Sequence, residues 1–167
     1  MSRTFLKEEW LRTYMQIAIE ASLRSKAERK QVGCLFVLEN GLMAIGINGT
    51  PAGWNSNVCE SEGETLPEVL HAEENALAKL MNSTLSTTGA SVFVTTCPCR
   101  NCAKLLIAAK VKAVYYLDDH REMVGLDLLL QAGIAVYRAA FETEGMVFTR
   151  LNVAPRGQQR YVCLIES

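Results

Sequence analysis

The sequence predicts an α/β protein, a three-layer α/β/α domain built on a mixed five-stranded sheet. Two apolar segments, 31–38 and 42–47, are joined by the turn-forming pair Asn40-Gly41, which is typical of an antiparallel hairpin. After residue 70, helical patterns alternate with three apolar strand patterns, which indicates right-handed parallel crossovers. A chain of 167 residues with 49% hydrophobic content is long and apolar enough for one domain with a substantial core.

The first element is predicted to be an amphipathic helix, because apolar residues recur at spacings of three and four from Leu6 to Ala21. The two hairpin strands follow, and then an irregular Gly/Pro/Asn-rich stretch runs from residue 48 to about 68. Irregular stretches of this length are often functional. The remaining pattern predicts helices over 70–81, after Pro98, and over 122–131, with strands over 91–95, 112–117 and 134–137.

The pattern weakens beyond Arg138, so the predicted domain core covers about residues 5–137 of the single domain 1–167. Residues 138–167 are then an extension of unknown role. Its apolar segment Tyr161–Ile165 fits either an edge strand or an oligomer contact, and the sequence leaves both readings open.

Composition excludes several classes of protein. The net charge of −1 provides no basic excess for a nucleic-acid surface. Charged residues precede any apolar segment at the start, and no apolar run approaches the ~20 residues of a membrane helix. We therefore expect a cytoplasmic protein with no membrane partner, whose six cysteines serve as metal ligands or core thiols rather than disulfides.

Cys99 and Cys102 form the strongest chemical signal in the chain. Their Cys-x-x-Cys spacing at the start of a predicted helix lets both thiolates face one point. His71 opens another predicted helix and supplies a third ligand. Three protein ligands are typical of catalytic zinc, whereas structural zinc takes four. Two buried core cysteines are the plainer alternative, and Cys97 is interpreted as a loop thiol outside the ligand set.

Glu73 is the candidate proton carrier. It lies on a helical stripe with Ala76, Leu77 and Leu80, which aims its carboxylate at the core. Burial of an unpaired carboxylate is costly and raises its pKa, which suits a group that carries protons at neutral pH. A buried salt bridge is the alternative explanation. The neighbouring Glu74 falls off the stripe and is predicted to be a solvated surface charge.

These motifs resemble those of the zinc-dependent nucleobase deaminases, and within them the deoxycytidylate deaminases. The matching segments are Arg29–Gly33, Gly46–Gly53, His71–Ala76 and Pro98–Lys104. The resemblance implies a cytidine deaminase-like fold and hydrolysis of dCMP to dUMP and ammonia, which supplies dUMP for dTTP synthesis. It also implies one zinc ion per chain, a hexameric homo-oligomer, and regulation by dTTP and by dCTP with Mg²⁺.

The resemblance also assigns roles to individual residues. Glu73 carries protons between an activated water, N3 of cytosine and the departing amine. Asn48 holds the sugar, and the base is contacted by Val32, the backbone of Ala72 and the carbonyl of Thr96. For the phosphate, Arg121 beside His120 is the first candidate. Arg24 and Lys26 are the alternatives, and each of these cations is otherwise a surface charge.

Three departures from the family pattern stand in this chain. Ala27 replaces a frequent cysteine, and the loop that contains Cys59 has no histidine, so a second zinc ion is not expected. Ile47 replaces the usual aromatic residue before Asn48, which weakens the case for a regulatory nucleotide site.

Three rival functions remain at this stage. A deaminase of tRNA or single-stranded nucleic acid would need a basic face, which the near-neutral composition does not provide. A dCTP or dual dCMP/dCTP deaminase is an alternative that the sequence leaves open. A non-catalytic zinc or nucleotide-binding module fits the ligands but leaves Glu73 unexplained.

Overall fold

The computed structural model describes residues 7–152. Four helices lie in this part of the chain: α1 Glu8–Ser22, α2 Ala72–Met81, α3 Arg100–Ala108 and α4 Val124–Gln131. The strands are β1 Gly33–Val37, β2 Met43–Ile47, β3 Glu60–Ser61, β4 Glu64–Thr65, β5 Ser91–Thr96, β6 Ala113–Asp118, β7 Ala135–Glu142 and β8 Gly145–Leu151. No helix of residues 7–152 is long and apolar enough to cross a membrane.

The main sheet is mixed, in the order β2-β1-β5-β6-β7-β8. β1 pairs antiparallel with both β2 and β5, while β5, β6 and β7 are parallel neighbours joined through α3 and α4. The predicted hairpin and the parallel crossovers are therefore confirmed. Gly41 has a φ of 83° in the hairpin turn, a conformation that glycine adopts without strain.

The sheet has six strands rather than the predicted five, because β7 continues to Glu142 and turns into the antiparallel strand β8. The predicted core boundary at residue 137 is therefore too early. Beyond Ala139 the β7 side chains are exposed on both faces, and Phe141 is 63% exposed. Because neither face is buried there, the sequence has no alternation to reveal the strand. Residues 161–165 lie outside the described part of the chain.

Helices cover the two faces of the sheet. Val92 and Val94 of β5 lie in a core cluster with residues of α2, α3 and α4, whereas Phe93 lies in a second cluster with residues of α1. This alternation follows from the two-residue period of a strand. The Phe93 ring stacks on Tyr115 at a centroid distance of 4.5 Å, which extends the α1-side core across the sheet. The face under α2 and α3 carries the candidate site.

Candidate active site

The three predicted metal ligands converge at the ends of two helices. His71 is the N-cap residue of α2, Cys99 is the N-cap residue of α3, and Cys102 lies in the first turn of α3. His71 Nδ1 lies 3.6 Å from Cys99 Sγ and 3.4 Å from Cys102 Sγ. The Cys102 N–H donates to Cys99 Sγ at 3.5 Å, which fixes one thiol against the helix end. The structure therefore brings together residues that lie 28 and 31 positions apart.

This donor set fits zinc. One imidazole nitrogen and two thiol sulfurs lie within 4.8 Å of one another, and no other such group of potential ligands occurs among residues 7–152. Tetrahedral zinc with ligand distances of about 2.0–2.3 Å requires donors roughly 3.5–3.8 Å apart. Hydrogen bonds from Cys102 and His71 lower the pKa of Cys99 to about 3, and the same contact raises the pKa of His71 to about 9. Cys99 is thus favoured as the thiolate, the form of cysteine that binds metal, whereas the contact with Cys99 raises the pKa of Cys102.

Glu73 lies in α2 two residues beyond His71, and its residue is only 4% exposed. Ala76, Leu77 and Leu80 are buried on the same face, as the predicted stripe requires. The carboxylate belongs to none of the ion pairs found in the described residues, so a salt bridge does not explain its burial there. Burial raises the pKa of Glu73 to about 7, which suits proton transfer near neutral pH.

Glu74 is not the solvated surface charge that the sequence analysis predicted. It is half-buried, and its Oε2 accepts a hydrogen bond of 2.7 Å from the backbone N–H of His71. A glutamate at the third helical position that reaches back to the N-cap residue is half of a capping box. The sequence carried this signal, because Glu74 stands three residues after His71. The cap fixes the first turn of α2, on which both His71 and Glu73 depend.

A cleft of about 600 Å³ opens beside the metal ligands. Its walls contain Glu73 and all six residues that the resemblance assigned to substrate: Val32, Asn48, Ala72, Thr96, His120 and Arg121. Cys97 also lines it, and this loop residue after β5 is a buried thiol, 2% exposed. Arg24 and Lys26 lie outside the cleft and line a second depression together with Lys79.

Thr96 lines the cleft, and its hydroxyl is buried and unpaired. It is 8% exposed, and its buried Oγ1 has no hydrogen-bond partner in the structure. The preceding Thr95 points to the opposite face of β5, where its Oγ1 accepts a bond from the Gly33 N–H at 3.1 Å. Since buried polar groups are usually paired, this unpaired and fully buried hydroxyl is an exception among the described residues.

The side chain of Asn48 holds the backbone segment that forms another wall of the cleft. Its Oδ1 accepts a bond from the Val32 N–H, and its Nδ2 donates to the Lys30 carbonyl, both at 2.8 Å. One N–H and one lone pair of the amide remain for a ligand. Asn48 therefore holds Val32 and Lys30 in place as well as facing the cleft.

Sequence reasoning did not assign Arg29 and Lys30 to the cleft, although both line it. The signal was two adjacent cations just before Val32, inside a segment already matched to the family. The short ribbon of β3 and β4 forms the neighbouring wall through Glu60 and Thr65. Glu60 anchors this ribbon, since its carboxylate accepts bonds from the Glu28 and Arg29 N–H groups at 3.1 and 3.4 Å.

An α/β/α sandwich with a His-Cys-Cys donor set and a buried glutamate at one cleft is the arrangement found in the zinc-dependent nucleobase deaminase class. Residues 8–118 match the model of the cytidine and deoxycytidylate deaminase zinc-binding region, and this chain belongs to that family. The assignment agrees with the resemblance drawn from the motifs.

Individual relatives give the same result. The human deoxycytidylate deaminase is 39% identical over 119 residues, which cover 66% of either chain. The probable deoxycytidylate deaminase of Caenorhabditis elegans is 38% identical over 117 residues, 66% of this chain and 58% of that protein. This chain thus spans two thirds or less of those relatives. The dCMP deaminase of cyanophage S-TIM5, solved with dCMP and dUMP, matches with a TM-score of 0.77 and 42% identity over 80% of this chain and 99% of that one.

Proposed function

We propose that this protein hydrolyses dCMP to dUMP and ammonia, and so supplies dUMP for dTTP synthesis. The observation that carries the proposal is Glu73, a buried carboxylate without an ion-pair partner among the described residues, which faces the same cleft as the His71, Cys99 and Cys102 donor set. A structural metal site has no use for such a group. The name of the human relative and the nucleotides bound in the cyanophage enzyme support dCMP as the substrate.

Zinc held by His71, Cys99 and Cys102 would supply a nucleophilic water at neutral pH, since bound zinc lowers the pKa of water to about 7. Glu73 accepts a proton from that water at its carboxylate and donates it to N3 of cytosine, which draws electron density from C4. The oxygen of the water bonds to C4, and Glu73 then carries the remaining hydroxyl proton to the amine at C4. The C4–N bond breaks, ammonia leaves, and C4 keeps the oxygen as the carbonyl of dUMP. Its raised pKa lets one group perform both transfers near pH 7.

The remaining cleft residues orient the nucleotide. Val32 packs on the base, and the backbone of Ala72 and the carbonyl of Thr96 flank it. The remaining amide N–H of Asn48 reaches the sugar. Arg121, with His120 beside it, binds the 5′-phosphate. Arg121 is exposed at the cleft and forms none of the ion pairs found within residues 7–152, so its charge is available to a dianionic group.

Arg121→Ala is expected to raise KM for dCMP about tenfold or more, the loss of one charge-assisted hydrogen bond, with a much smaller effect on deoxycytidine. The reason is that only the nucleotide carries the phosphate. Steady-state kinetics on both substrates measures the ratio. Equal losses on the two substrates would remove Arg121 from this role.

The purified protein is expected to hold one zinc ion per chain. The described residues contain one complete three-ligand set, and Cys59, although buried, belongs to no second set among them. Elemental analysis of protein purified without added metal gives the ratio. Two zinc ions per chain would show that the loop around Cys59 binds metal as well.

One assay tests the function itself. Ammonia release is measured with dCMP, dCTP, deoxycytidine and 5-substituted dCMP, and dCMP is expected to give the highest kcat/KM. Equal turnover of dCTP would favour the dual dCMP/dCTP activity, which the further cleft cations Arg29 and Lys30 support. Release from none of the four would leave the non-catalytic zinc module as the better reading.

We also propose how the protein is regulated, how it assembles and where it acts. The protein acts in the cytoplasm as a hexamer, with dCTP bound alongside Mg²⁺ as activator and dTTP as inhibitor. The depression lined by Arg24, Lys26 and Lys79 supports an effector that carries phosphates. The five described cysteines are all free thiols, which supports a reducing compartment.

A further inference from the structure

The end of β6 and the segment after it, residues 118–122, pair three acidic side chains with three cations. Asp118 lies 3.2 Å from Lys30, Asp119 lies 3.0 Å from Arg138, and Glu122 lies 3.8 Å from Arg100; each distance joins a carboxylate oxygen to a side-chain nitrogen. Of these three cations, only Lys30 lines the cleft. The Lys30–Asp118 pair is therefore the one ion pair of this segment whose cation also lines the cleft.

Lys30 is held in place at its backbone, whereas its head group takes part only in this exposed ion pair. Its carbonyl accepts the bond from Asn48 Nδ2, and it stands two residues before Val32, another cleft residue. The side chains of Lys30 and Asp118 are 46% and 56% exposed, so solvent screens their attraction. An ion pair this exposed is weak and exchanges readily for a stronger partner.

We propose that Lys30 exchanges Asp118 for the 5′-phosphate of the substrate. Asp118 then competes with the phosphate for Lys30 and limits the preference for a nucleotide over a nucleoside. This inference rests on the proposed function and extends its phosphate contacts beyond Arg121. A phosphate monoester carries a charge of about −1.5 to −2 at pH 7, against −1 for a carboxylate, and offers three acceptor oxygens. The ammonium group of Lys30 therefore gains by the exchange, while Asp118 opposes it.

The two partners are expected to change KM in opposite directions. Lys30→Gln should raise KM for dCMP about tenfold, the loss of one charged contact, and leave KM for deoxycytidine within twofold. Asp118→Asn should lower KM for dCMP about threefold or more, since it removes a weak competing pair of the exposed kind. A purely structural role for the pair would raise KM for both substrates in both variants.

The double variant distinguishes competition for Lys30 from simple electrostatic repulsion between the Asp118 carboxylate and the phosphate. In the Lys30→Gln background, Asp118→Asn should give less than half of the decrease that it gives in the parent, since the competed cation is gone. Glu8→Gln is the matched control, because it breaks an exposed ion pair with Arg12 in α1, away from the cleft. It should leave both KM values unchanged.

Calorimetric binding of dCMP and deoxycytidine in the Glu73→Gln background gives the same comparison without turnover. If the parent releases no ammonia from any cytosine compound, the proposed function fails, yet this binding arm still reports on the phosphate. The exchange is overturned if Asp118→Asn weakens dCMP binding, or if it strengthens binding equally with and without Lys30.

Discussion

Glu73→Gln is expected to keep zinc and the fold, yet to lose a factor of at least 10²–10⁴ in kcat, the usual worth of general acid–base catalysis. Glutamine has nearly the size of glutamate, so the buried stripe with Ala76, Leu77 and Leu80 survives the change. It cannot accept a proton from water or deliver one to N3. One residue serves several transfers in the proposed reaction, which places the loss at or above this range. Zinc content and kcat are measured on the same preparation.

His71→Ala is the companion variant, and it should lose both zinc and activity because it removes one of three ligands. The pair of variants separates metal binding from proton transfer. If Glu73→Gln turned over within tenfold of the parent, the deaminase mechanism would be wrong. The structural-zinc interpretation would then become the leading one.

The fold could be predicted where burial dictates the pattern. All five β1 residues and all six β5 residues are buried, and both strands stood out as continuous apolar runs. The second half of β7 and all of β8 escaped prediction because most of their side chains are partly or fully exposed. The ribbon of β3 and β4 has two residues in each strand, too few for any periodicity to appear.

In the site, residues close together in the sequence could be predicted, whereas those brought together only by folding could not. His71, Glu73, Cys99 and Cys102 could be found because their short spacings already fix which side chains share a helix end. Glu60 could not, since only the folded chain brings the β3–β4 ribbon against the backbone of Glu28 and Arg29 at the cleft. Hydrogen bonds between backbone groups and distant side chains leave no periodic trace in a sequence.

A substitution at the contact between β2 and α2 is expected to lower both the stability of the fold and the activity. Gly46 is buried in β2, and a Cβ added there would meet the backbone carbonyl of Ala72 and lie 2.6 Å from the backbone N of Ala76. Neither atom belongs to a flexible side chain, so the helix must move as a whole. Gly46→Ala is therefore expected to destabilise the fold by about 1–3 kcal/mol, the usual cost of overpacking.

The same displacement reaches the chemistry, because the N-terminal turn of α2 carries both His71 and Glu73. Misplacement by about 1 Å can cost 10²-fold in rate, so kcat should fall along with stability. Gly49→Ala is the matched control, since a Cβ there meets nothing within 4 Å. Urea unfolding and kcat of the zinc-loaded variants provide the comparison. If Gly46→Ala unfolded at the same urea concentration as Gly49→Ala and kept full kcat, the close packing of α2 on β2 would not be what positions Glu73 against the metal ligands.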